Sequence, residues 1–521
     1  MSTGDLLNGL ARNPALPSTL VDRLIAHADD DLAGELAQRD DLSPEQVRAL
    51  ARRSDSATLQ LAWDGLLDSA DVDPLRFPEV ALALLDQGRG RAEWAEPLAG
   101  DPEVRRREKL AACPDLPDSV RARLADDPDP RVVAELAIFT TDRELLVRLA
   151  GHPHAEVRAG VAGNPAAPPE VLADLIAVHW RGDGGPLPTT CDVCVREPIP
   201  FVHDPGCARL DCDLPPGAAC DGTHESVIHS LLVRAVDNPA TPAEAAAELA
   251  GHPGRIVRWQ LAARLDLPPE VAVRLAGDPI PGVRGAVAEN PALPESAIRK
   301  LATDDCPTVR RHLAGNPEVP LDLLTGAARV PTGLLPRIIA ASPDEVRQLA
   351  ENRDPRLRAL VAERRDLPPE IRDRLARDPD AKVVKAVAPH PGLSEDLLRE
   401  MVAHHGIRVI AKVATNPDVS PALLLDLARH VPPVQKVFRE VARHPDAPAE
   451  ALELCLADPQ ARPIAAAHPA LPVHRIVELL TGADEDERSG VAGADRAVAT
   501  AAATNPSLPL SEMDRIIGPV P

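Results

Sequence analysis

Apolar residues recur along this chain in two short bursts separated by a proline corner, and the pair of bursts is repeated many times. The tract VRGAVAENPALPESAIRKLA (283–302) is soon followed by VRRHLAGNPEVPLDLLTGAA (309–328). In the first burst, Val157, Val161 and Ala162 of VRAGVAGN mark one face of a short helix, with Val157 and Val161 at i and i+4. Asn-Pro then stops that helix, because the residue before a proline is pushed out of the helical region. The second burst restarts at a proline, which suits a first helical position, often with an acid in the first turn. Pro269-Glu270 and Pro294-Glu295 are examples. Ser43, ahead of Pro44-Glu45, reads as an N-cap, and Thr241-x-x-Glu244 has the spacing of a capping box. Val171, Leu172, Leu175 and Ile176 give the second helix its apolar face.

The corner falls at Asn13, Asn164, Asn238, Asn290, Asn316, Asn416 and Asn505, with degenerate versions at Arg39, Cys113, Arg264, Arg364, His390, His444 and His468. Neighbouring corners are repeatedly 26 residues apart, as from 238 to 264 to 290 to 316. Helices of two or three turns cannot hide their apolar faces alone, so each repeat must be buried by its neighbours. A fixed period of this size predicts a stacked helical array. The 57 prolines would otherwise suggest disorder, but they are periodic and stand beside 44% hydrophobic residues. Aromatic residues make up only 2%, which suits thin layers filled by Leu, Val and Ala. No apolar run approaches the roughly 20 residues of a membrane span. The opening MSTGDLLNGLARNP lacks the basic and apolar regions of a signal peptide, so a cytoplasmic protein is expected.

The V-R-x-x-V/L-A-x-N-P-x-L/V-P cores at 283–294 and 309–320, with VRAGVAGNPAAP at 157–168, resemble the leucine-rich repeat variant family. Weaker copies extend the resemblance over 5–177 and 231–515. It implies an all-α, right-handed solenoid in which short α-helices alternate with 3₁₀-helices. HEAT-like α-solenoids, which also place Val-Arg on a helix, are the second resemblance. The expected organisation is N-terminal repeats at 1–177, a Cys-rich insert at 178–230, and C-terminal repeats at 231–521.

The insert carries the distinctive chemistry. Asn164 and Asn238 are 74 residues apart, one period plus 48. The surplus holds Cys191-x2-Cys194, Cys207-x4-Cys212 and Cys220-x3-His224, with His203 and His229 nearby. In a cytosolic setting such a cluster points to metal before disulfides. Two thiolates from Cys191 and Cys194 and two from Cys207 and Cys212 suit a closed tetrahedral zinc site, with Cys220 or His224 as a substitute ligand. The family resemblance implies another occupant, since some members carry a 4Fe-4S cluster on cysteines beside the repeats. Thiolates serve zinc and iron–sulfur centres alike, so both stay open. Cys113, Cys306 and Cys455 are scattered among the repeats and read as small core or semi-buried residues. The histidines before prolines, His252, His390, His444 and His468, read as turn residues.

Arginine stands six residues before several corners, and Arg258, Arg284 and Arg310 do so in consecutive repeats. Such a column can hold an acidic peptide or a phosphate backbone. Alternatively, each arginine pairs with an acid of the next repeat, such as Asp278 or Asp304. No phosphate loop, dinucleotide fingerprint or nucleophile elbow is present, so no enzyme is expected. The expected function is a protein-interaction scaffold whose partner the sequence does not name, with a structural metal centre in the insert. A nucleic-acid-binding solenoid is the alternative, but the net charge of −23 and pI near 5.1 disfavour it. A redox sensor or electron carrier is a third reading if the centre is iron–sulfur.

Overall fold

The computed structural model describes residues 3–180, 227–252, 254–324, 334–485 and 492–518, and among them every regular element is a helix. None of these helices is long and apolar enough to cross a membrane. Each repeat contributes a first helix, a tight Asn-Pro-type corner and a second helix. Pro281–Ala288, for example, turns at Asn290 into Glu295–Ala302. Proline opens many of these helices, including Pro269–Leu275, Pro307–Leu313, Pro355–Ala362 and Pro369–Leu375. It supplies a preset φ where no backbone donor is needed.

The alternation of α with 3₁₀ implied by the family resemblance is not the rule here. Both helices of most described repeats are α, and 3₁₀ segments occur at Ser69–Asp71, Ala92–Trp94, Glu248–Gly251 and Gly406–Arg408. Seven or eight residues behind a proline are enough to close true i→i+4 bonds. Ser43 does form the expected cap, in a full capping box with Gln46. Thr241 does not, since its hydroxyl donates to the Ala235 carbonyl within the corner. Ser342 and Glu345 form a capping box that the repeat pattern did not flag.

The apolar faces lie where the periodicity puts them. Val157, Val161 and Ala162 are fully buried, as are Val283, Val287 and Val309 in equivalent first helices, while Leu172, Ile298 and Leu301 fill the second layer. The helices gather into two compact units, Val72–Ala340 and Met1–Asp71 with Ala341–Pro521.

In the Val72–Ala340 unit, first helices pack in sequence order. Ala155–Gly163 lies between Pro130–Phe139 and Val227–Asp237. Repeats separated in sequence by the Cys-rich segment are therefore direct neighbours, and the stack closes without it. The six candidate metal ligands, Cys191, Cys194, Cys207, Cys212, Cys220 and His224, lie outside the described residues. Among the described residues no group of three or more potential metal ligands converges.

The other unit joins residues from opposite regions of the sequence. The helix Thr3–Ala11 packs on Ala492–Ala503 and on Leu510–Ile517. Arg23 pairs with Asp514 and also donates to the Gly518 carbonyl, and Arg496 pairs with Asp5 at 3.1 Å. Gly9 permits the approach, since a Cβ there would lie 2.5 Å from the Thr500 carbonyl oxygen.

Candidate functional site

Two ladders of polar side chains run through the stack and determine what remains outside it. The first is built from the corners. Each asparagine is buried, accepts the backbone N–H two residues on, and donates its amide to carbonyls of the preceding corner. Asn316 Nδ2 reaches the Ala288 and Asn290 carbonyls at 2.9 and 2.8 Å, and Asn238 reaches Ala162 and Asn164 at 2.9 and 2.7 Å. Asn13 does the same to Ala503 and Asn505, at 2.9 and 2.7 Å. One side chain thus closes its own turn and satisfies two buried acceptors next door, groups that are costly to leave unpaired.

The degenerate corners reproduce this chemistry with other atoms. Arg39 donates to the Ala11 and Asn13 carbonyls and clamps Asp41, two residues on. Arg264 and Arg364 clamp Asp266 and Asp366 in the same way, holding both carboxyls below the usual range. The R-x-D spacing at 39–41, 264–266 and 364–366 is the sequence signal for this clamp. At His444 and His468, ring Nδ1 accepts from the N–H two residues on, which leaves Nε2–H to donate to the preceding corner. Those donations reach the Asn416 and His444 carbonyls at 3.1 and 3.0 Å. Turn roles for these histidines are what the structure shows.

His390 breaks the pattern. The N–H of Gly392, at φ +80°, goes to Asp418 of the next repeat, so it cannot serve the His390 ring. Neither ring nitrogen meets hydrogen-bond geometry, and the side chain is buried. Burial pushes its pKa down to about 4, helped by Arg365 and Arg372 and opposed by the Ala362 backbone. The unfolded chain would protonate near 6.5, so stability falls as pH drops from there toward 4, by at most about 1.4 kcal/mol per pH unit. His390→Asn places the usual corner residue there and removes the titration. Its melting temperature should gain on the parent as pH is lowered from about 7.5 to about 5, whereas an equal gain at both pH values would refute the account.

The second ladder is the arginine column. Arg258 holds Asp278 through Nε at 2.6 Å and Nη2 at 3.3 Å, and Arg284 holds Asp304 at 2.7 and 3.0 Å. In each case Nη1 donates to a carbonyl six residues earlier, that of His252 or Asp278. Asp278 therefore receives one arginine on its carboxylate and the next on its carbonyl. Arg107–Asp127 and Arg358–Asp378 repeat the arrangement. The Arg284 guanidinium holds the Asp304 carboxyl below its usual range. These pairs are largely buried, with side chains 13% and 6% exposed for Arg258 and Asp278. Arg258 and Arg284 thus follow the internal-pairing alternative. Arg310 differs: Nη1 reaches the Asp304 carbonyl, but it forms no ion pair among the described residues.

Cys113 and Cys455 are buried, and burial pushes both thiols up to about 12, as expected for packed residues. Cys306 is partly exposed, and backbone donors from Val309 and Thr308 lower its pKa.

Comparison with known proteins gives no matching family model and no matching curated protein. Among solved structures, the chain is similar to one described as "A leucine-rich repeat variant with a novel repetitive protein structural motif". That match has 20% identity over 54% of this chain and 88% of the other, with a TM-score of 0.29. It is also similar to a homology model of the full-length AP-3 complex, at 12% identity over 99% and 92% of the two chains, TM-score 0.22. A structure of the Pds5–Scc1 complex matches at 11% identity over 92% and 75%, TM-score 0.18.

Proposed function

We propose that this protein is a non-enzymatic scaffold that binds another protein through the outward positions of its repeats. The observation that carries this reading is the contrast between frame and decoration. Apart from His390 and Arg310, corner and column side chains do the same structural job in repeat after repeat. The position five residues before the corner is Ala159, Trp259, Gly285, Arg311 or Ala359, with Trp259 and Arg311 exposed. Trp259 leaves 52% of its surface to solvent. A constant frame with changing exposed residues suits recognition of a folded or extended partner, where exposed Trp and Arg are the usual anchors. The nucleic-acid reading loses two of the three arginines it relied on, because Arg258 and Arg284 already hold carboxylates.

The Cys-rich segment enters the same proposal as a second epitope held by zinc or a 4Fe-4S cluster on Cys191, Cys194, Cys207 and Cys212. Five cysteines in thirty residues support it, as does a stack whose neighbouring helices do not need the segment. Tagged protein purified anaerobically from its host tests both parts. A co-purifying protein should be retained by the parent, and its affinity should fall roughly thirtyfold in the Trp259→Ser, Arg311→Glu variant with melting unchanged. Equal retention by the two removes this face from the reading. The same preparation, analysed for zinc, iron and sulfide, should hold one centre per chain, and absence of all three overturns the metal part.

A further inference from the structure

Arg310 is the last of the three consecutive column arginines, and its surroundings differ from those of the other two. Arg258 and Arg284 each place Nε and Nη2 on a carboxylate of the following repeat. For Arg310 no such acid is available, because the sequence carries neither Asp nor Glu between Asp322 and Asp344. Arg310 instead lines a cavity of about 430 Å³, beside Leu313, Ala314, Val319, Leu323 and Leu324. The other charges at this cavity cancel, since Arg299 is paired with Asp322 at 3.0 Å. Asp304, just behind, is already held by Arg284. What remains is the Arg310 charge, which Asp304 feels together with that of Arg284, next to a largely aliphatic lining that also includes Thr303.

We propose that Arg310 and this lining form a binding site for a carboxylate borne on a short aliphatic group. The guanidinium would hold the ligand as its sister arginines hold Asp278 and Asp304, in a planar two-bond fork that suits a carboxylate. The apolar side chains take the hydrocarbon, which a bare phosphate would leave uncovered. Two sources supply this chemistry: the C-terminal residue of a polypeptide, and a free aliphatic acid. The site goes beyond the scaffold reading and does not depend on it.

The test uses the full chain with N-acetyl-leucine, N-acetyl-leucinamide and 4-methylpentanoate as probes, followed by saturation-transfer NMR on their methyl groups. N-acetyl-leucine should bind saturably, and its amide, which lacks the charge, about tenfold or more weaker. Arg310→Gln should weaken N-acetyl-leucine by a similar factor, while Arg148→Gln, at an exposed arginine of a distant repeat, should leave it unchanged. Preference for N-acetyl-leucine over 4-methylpentanoate assigns the site to a chain end, and the reverse assigns it to a free acid. Equal binding of acid and amide to the unmodified chain overturns the proposal without reference to any variant. So does undiminished binding by Arg310→Gln, or no saturable binding by either acid.

Discussion

Val287→Asp should unfold the repeats that flank it while leaving distant repeats folded. Val287 is fully buried in Pro281–Ala288, which packs between Arg255–Ala263 and Pro307–Leu313. A carboxylate there finds an apolar layer and no partner, and such burial costs on the order of 5 kcal/mol or forces the layer open. In a stack held by nearest-neighbour contacts the damage spreads to adjoining repeats and then fades. Hydrogen exchange should show lost protection across 257–313 and retained protection in Val104–Ala112 and Pro130–Phe139. Leu313→Asp, also at a buried position, should act alike. Unchanged protection at 283–288 would mean that the stacking account is wrong.

The second large effect is expected at Gly9. A Cβ at this residue would sit 2.5 Å from the Thr500 carbonyl oxygen and 2.9 Å from the Ala503 Cβ, and neither atom can rotate away. Gly9→Leu should therefore separate Thr3–Ala11 from Ala492–Ala503. Overpacking of this kind costs about 1–3 kcal/mol, and losing the two Asn13 bonds adds about 1 kcal/mol each. Exchange should rise together in residues 3–27 and 492–517 and stay unchanged around Asn290. Gly34→Leu is the control, because nothing lies within 4 Å of a Cβ there. If Gly9→Leu behaves like Gly34→Leu, the contact is not a structural one.

The helices, corners and buried faces were legible because a proline-punctuated period constrains local backbone and burial together. Val287 and Leu313 could be placed in the core from spacing alone. The acids that answer Arg258 and Arg284 were legible as candidates, since Asp278 and Asp304 recur one repeat later. The R-x-D clamp was present in the letters but hidden, because Arg39 and Arg264 look like lapsed asparagines until their donors are followed to the preceding carbonyls. The idle ring of His390 depends on where Gly392 sends its N–H, a tertiary fact with no local signature. The contact of Asn13 with Asn505 was not legible either. Its interface uses the same motif as every other, so nothing in the local sequence distinguishes a partner 26 residues away from one 492 residues away.

That last contact bears on how the protein is made. Leu10 and Ala11 are completely covered in the finished molecule, and the Ala503 carbonyl that Asn13 binds lies 490 residues further along. At ribosomal speeds of about 5–20 residues per second, that interval is on the order of a minute. During it the helix Thr3–Ala11 has Asp30–Ala37 to pack on but not yet Ala492–Ala503, so the apolar edge that the latter covers is bare. A nascent chain in that state is open to aggregation and is a natural client for chaperones. A translation product that stops before residue 492 keeps the edge exposed, so the cell's proteases and chaperones can recognise an unfinished copy by that surface.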